Sequence, residues 1–111
     1  KLTKKILKNQ ILKGLKNIKL SNQIIIAYEP VWSIGTGLIP KNFELSGNLK
    51  FIKSVLSVHK NSKKNTIIYG GSVNPKNIIH LNMINEIDGY LIGGASQDSK
   101  KLIDIVKKSV I

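Results

Sequence analysis

The sequence has no cysteine and no arginine, two histidines and one tryptophan, and each shortage closes off a class of chemistry. Without cysteine there is no disulfide framework and no thiolate metal site, and His59 and His80 stand too far apart in the sequence to suggest a histidine cluster. The expectation is a metal-free protein of cytosolic type. No apolar run approaches the ~20 residues that span a bilayer, and Leu2 to Leu20 is interrupted repeatedly by lysine, unlike a signal peptide. The composition therefore predicts a soluble chain with no membrane partner.

The missing arginine bears on the charge. The formal net charge is +12, from 18 cations against 6 acids. Such an excess points toward nucleic acid, because clustered cations release condensed counterions from phosphates. Yet every cation is lysine, and arginine is the residue whose planar fork reads bases and clamps phosphates in pairs. Isoleucine, lysine and asparagine are abundant together, as an A/T-rich coding sequence produces without selection for a partner. The lysines read as solvated faces, and no nucleic-acid partner is expected.

At 111 residues the chain makes one domain at most. Lys1 stands where an initiator methionine is usual, which suggests a start inside a longer reading frame or after processing. Apolar residues at Leu2, Ile6, Leu7, Ile11, Leu12, Leu15 and Ile18 recur near the helical period and predict an amphipathic helix over Lys1 to Lys19. After a break at Ser21 and Asn22, the apolar run Ile24 to Tyr28 predicts a parallel strand covered on both faces. Leu45, Leu49, Ile52, Val55 and Leu56 mark a second helix, which a polar turn over Asn61 to Asn65 ends. Thr66 to Tyr69 is a second strand. Asn74 and Pro75 start a short third helix through Ile78, Ile79 and Leu81, Asp88 to Ile92 is a third strand, and Leu102, Ile103, Ile105 and Val106 mark a last helix. Strict alternation of strands and helices forces parallel strands that deliver their last residues to one edge, where the chemistry of such sheets gathers.

Three features meet at that edge. Glu29 follows the first strand, Gly70-Gly71-Ser72 the second, and Gly93-Gly94-Ala95-Ser96 the third. Paired glycines let backbone amides approach a ligand closely, and a helix start behind them favours an anion. Either pair alone is a weak signal, since strand-to-helix turns use glycine for steric reasons; two on adjacent strands suggest a phosphate site, to which Ser72 adds a hydroxyl donor. Glu29 is either a general base or a carboxylate paired with one of the many lysines. The segment after it favours the base. Pro30 fixes one end, Gly35 and Gly37 free the other, and Val31, Trp32 and Ile34 form an apolar tip, as in a hinged lid that excludes water and brings the Gly35 amide to the anion.

The stretches AYEPVWSIGTG, IIYGGSV and DGYLIGGAS, in this order and spacing, resemble the carboxyl-terminal part of the triosephosphate isomerase family across essentially the whole chain. The resemblance implies an α/β fold, a partial (β/α)8 barrel made of the last three strands with their helices, with residues 1–111 forming no separate domains. It implies that Glu29 moves a proton between the two carbons of dihydroxyacetone phosphate and glyceraldehyde 3-phosphate, that Gly35, Ser72, Gly93 and Gly94 hold the phosphate of this small triose, and that no cofactor is needed. It further implies a cytoplasmic homodimer serving glycolysis and gluconeogenesis. Two positions depart from the family: Leu38 replaces the usual lysine after the lid, and Ser33 the usual alanine. The asparagine and lysine of the family's first strand, the histidine after its fourth and its main dimer contacts belong to segments this sequence does not contain, and His59 and His80 are expected on helices away from the active edge. Three strands of eight cannot close a barrel, so the 111-residue piece alone is expected to be inactive and prone to associate. Two alternatives stay open: another phosphate-binding barrel enzyme, and a lysine-rich non-catalytic module binding anionic polymers.

Overall fold

The computed structural model describes residues 2–18, 24–60 and 66–110, the side chains at 59 and 60 excepted. Helix α1 (Leu2–Gly14) leads into β1 (Ile25–Tyr28), α2 (Asn42–Lys60), β2 (Thr66–Gly70), α3 (Ile78–Leu81), β3 (Gly89–Leu91) and α4 (Ser99–Ser109). Short 3-10 turns at Val31–Ser33 and Gly94–Gln97 follow the first and third strands. The strands form one parallel sheet in the order β1-β2-β3, with Tyr28 beside Tyr69 and Tyr69 beside Tyr90. This is the predicted alternation, and it sets all three strand exits on one edge.

The core lies between the helices and one face of the sheet. Leu45, Leu49, Ile52, Val55 and Leu56 of α2 are all buried, as their spacing predicts, and they share a cluster with Leu7, Ile11 and Leu15, with Ile67 and Tyr69, and with Ile105. Each large aliphatic side chain enclosed in this way contributes about 1.5–3 kcal/mol relative to an exposed one. Burial pushes the Tyr90 phenol up to about 12 and raises those of Tyr28 and Tyr69 as well. Asp88 sets the entry to β3: its amide donates to the Ile67 carbonyl and its carboxylate accepts from the Ile67 amide, each at 2.8 Å.

Several elements differ from their prediction. Helix α1 ends at Gly14 rather than continuing to Ile18, because Asn17 takes a left-handed conformation (φ 64°) that no helix continues through. The residues at 1 and 19, the break at Ser21 and Asn22, and the turn over Asn61 to Asn65 lie outside the described residues. Asn74 caps a tight turn, not the helix itself: its Oδ1 accepts from the amides of Lys76 and Asn77, both at 2.9 Å, and α3 starts only at Ile78. In α4, capped by Asp98, Ile105 is enclosed but Ile103 and Val106 are about half exposed, since they sit on the flank that no described element covers.

The largest difference concerns β1, predicted to be covered on both faces. Ile26 and Tyr28 pack on the core, while Ile25 is 57% exposed and Ala27 is exposed with it. Side chains alternate across a strand, so Ile25, Ala27, Ile68, Gly89 and Leu91 share the uncovered face. A run of three strands is too narrow to curl around and cover its own inner surface.

Candidate active site

The same alternation decides where Glu29 points. One step beyond Tyr28, it falls on the uncovered face with Ile25 and Ala27, beside Gly70 in the register that pairs Tyr28 with Tyr69. The contact is close: a β-carbon added to Gly70 would lie 2.8 Å from Glu29 Cγ and 3.0 Å from its Oε2. Glycine at position 70 therefore leaves room for the glutamate to lie across the end of the sheet. Glu29 itself is exposed.

The turn after β2 is built around a second glycine and a strained serine. Gly71 takes φ +126° and Ser72 φ 55°, both in the left-handed region. A non-glycine residue there costs roughly 1–2 kcal/mol, and Ser72 is held by its own hydroxyl, which accepts from the Gly37 amide at 2.9 Å and donates to the Ser33 carbonyl at 2.5 Å. Behind the turn the buried Asn77 amide donates to the Ser72 carbonyl at 2.6 Å, while its Oδ1 accepts from the Asn74 amide at 2.9 Å. The Ser72 hydroxyl, expected to serve an anion, is thus engaged with the segment after Glu29. Its backbone N–H is not: among the described residues the amides of Gly35, Ser72 and Gly94 donate to no protein group.

That segment folds as a compact loop. The Ser33 amide donates to the Pro30 carbonyl at 2.9 Å and the Thr36 hydroxyl to the Ser33 carbonyl at 3.0 Å, with Gly35 and Gly37 at φ +73° and +78°. Its apolar tip faces outward: Val31 is 85% exposed, and Trp32 and Ile34 about half. Ser33 takes the buried place instead.

Glu29, Gly35, Ser72, Gly93 and Gly94, the five residues singled out in the sequence, all line one open cleft of about 490 Å³ at the carboxyl edge. Three residues that sequence reasoning did not place in the site belong to the same region. Tyr69 and Ser33 lie beneath the cleft, and Lys101 of α4 lines it, adding a cation to an otherwise amide-rich wall. The pattern YGGS could have pointed to Tyr69, since it places a phenol directly under the turn; Ser33 stood out only as a departure from the family's usual alanine. His80 is exposed on α3 outside the cleft lining, and His59 falls on α2, its side chain outside the described residues. A carboxylate on an uncovered sheet end, facing free amides and a lysine, can exchange a proton with a small molecule whose anionic group the amides hold.

The family model for triosephosphate isomerase matches residues 1–109. The chain belongs to the triosephosphate isomerase family. It is 45% identical over 105 residues to triosephosphate isomerase of Mycoplasma mobile, covering 95% of this chain and 41% of that protein. It is 42% identical over 107 residues to the Thermodesulfovibrio yellowstonii enzyme, covering 95% and 44%, and 42% identical over 92 residues to that of Dictyostelium discoideum, covering 80% and 36%. The chain thus spans about two-fifths of the length of the curated relatives it matches. Within the family, its three parallel strands and their helices are a partial (β/α) barrel. No helix among the described residues is long and apolar enough to cross a membrane.

Proposed function

We propose that the full-length protein carrying this chain is a triosephosphate isomerase, interconverting dihydroxyacetone phosphate and D-glyceraldehyde 3-phosphate. The observation that carries the reading is the position of Glu29, laid across Gly70 into the cleft that Gly35, Ser72, Gly93 and Gly94 also line. Glu29 takes a proton from C1 of the ketose and returns it to C2 of the enediolate while the O1 hydroxyl proton passes to O2, so the hydrogen moves as a proton and no redox partner enters. The amides of Gly35, Ser72 and Gly94 hold the phosphate, with Gly93 giving it room and Lys101 supporting its charge. Binding energy from this non-reacting group serves the transition state by orienting the triose against the carboxylate. The electrophile that polarises the carbonyl comes from segments outside this chain, as the absent lysine, asparagine and histidine of the family imply. A cytoplasmic homodimer in the central interconversion of trioses fits this activity.

The test is Glu29→Gln in the full-length protein, which keeps the side chain's size and removes its basicity. Isomerase turnover should fall about 10²–10⁴-fold, the range for loss of a general base. Turnover within a few-fold of the unmodified protein would contradict the assignment.

A further inference from the structure

Among the described residues, Ser33 and Asn77 are the buried polar side chains besides the Tyr69 phenol, and Ser33 is wholly enclosed. Asn77 is spent on the turn after β2. Ser33 has three oxygen neighbours and a single hydroxyl proton: the Leu38 carbonyl, the Gly71 carbonyl at 3.2 Å and the Tyr69 hydroxyl at 3.3 Å. The Tyr69 hydroxyl donates to the Gly71 carbonyl at 3.0 Å, so that acceptor is already served. The Ser33 proton is left for Leu38, the closest of the three, while its oxygen remains beside the phenol.

The backbone of the same residue is equally committed. The Ser33 carbonyl accepts from the Thr36 amide at 3.3 Å, from the Thr36 hydroxyl at 3.0 Å and from the Ser72 hydroxyl. Residues 33 to 38 are therefore closed into a ring by the side chain of the first onto the carbonyl of the last. That ring is docked on the β2 turn from two sides, through Tyr69 and Gly71 below and Ser72 above. A β-carbon at Gly71 would lie 3.0 Å from Ser33 Oγ, so the glycine is what lets the hydroxyl seat so deeply.

We propose that Ser33 is a positioning residue for the isomerase reaction: its buried hydroxyl latches the ends of the loop after Glu29 together and biases that loop toward its docked place on the β2 turn. The inference rests on the isomerase reading for its kinetic consequence, and on geometry alone for the latch. Loss of the hydroxyl leaves the Leu38 carbonyl without its donor and loosens the ring without touching Glu29. A docked loop that is less populated weakens apparent substrate binding, while a substrate that has bound still reacts at nearly the same rate.

The experiment is Ser33→Ala in the full-length protein, read by amide hydrogen exchange and by steady-state kinetics. Exchange at Thr36 and Gly37 should quicken about three- to tenfold, as expected for loss of one ordinary hydrogen bond, with exchange at Ile67 to Tyr69 unchanged. KM should rise by about the same factor, with kcat within about twofold. Unchanged exchange and KM would overturn the latch, as would a fall in kcat at constant KM, or loss of protection spread equally into β2. Failure of the isomerase reading is separately visible, as absence of turnover in the unmodified protein, and the exchange measurement, which needs no substrate, still decides the latch.

Discussion

The two glycine pairs look alike in the sequence and are unlike in the structure. Gly70 and Gly71 are glycine because the protein leaves no alternative: Glu29 occupies the space a β-carbon would need at the first, and the second takes a left-handed φ against Ser33 and Tyr69. At Gly93 and Gly94 a β-carbon would meet nothing within 4 Å, and neither takes a positive φ. The first pair is explained by packing around the carboxylate and the loop. The second has no internal packing reason, and its openness suits an anion brought close to bare backbone. A repeated motif at one sheet edge therefore divides its labour, with one turn holding the Glu29 carboxylate and its loop, and the other left clear.

Substitutions at the two pairs should separate the roles. Gly70→Ala forces Glu29 off the sheet end; if Glu29 is the proposed base, misplacement by about 1 Å costs on the order of 10² in rate, so kcat should drop about a hundredfold in a steady-state assay. Gly94→Ala should leave the thermal midpoint of unfolding within about 2 °C, since a surface change away from packing is worth no more than about 0.5 kcal/mol. It should still weaken inhibition by inorganic phosphate several-fold, because the methyl group stands where the proposed phosphate would sit. Equal effects of the two changes on rate and on phosphate would erase the distinction.

The smallest effect concerns pH. The first turn rests on the Tyr69 phenol, which burial raises above its ordinary value near 10; among the described residues the hydrogen bonds of the second turn involve no phenol. A raised folded-state value means the neutral phenol is favoured, so its stabilisation is complete below about pH 10 and is lost as pH rises through the folded value. Exchange at Thr36 and Gly37, corrected for hydroxide catalysis, should therefore climb above pH 10, while the amides at Ala95 and Ser96 show no such step.

Much of this arrangement was legible in the residues. Strand and helix alternation gave the parallel order, the α2 stripe from Leu45 to Leu56 gave the main core, and Glu29 at a strand exit was visible as a charge after an apolar run. The covering of that run was not, because Ile25 and Ile26 are chemically the same and only the neighbouring elements decide which is enclosed. Asn17 ending α1 was hidden because the apolar period continues past it to Ile18. The buried role of Ser33 was missed for a related reason. A serine in a loop reads as polar surface, and the partners that bury it, Leu38, Tyr69 and Gly71, come from separate places along the chain.

The most direct test of the shared site is a titration of inorganic phosphate against the full-length protein and its Glu29→Gln variant, followed by backbone amide chemical shifts. Shifts concentrated at Gly35, Ser72 and Gly94, with an affinity that the substitution changes by less than about twofold, are what the account predicts. Shifts scattered over the lysine-bearing helix faces, with those three amides unmoved, would contradict it.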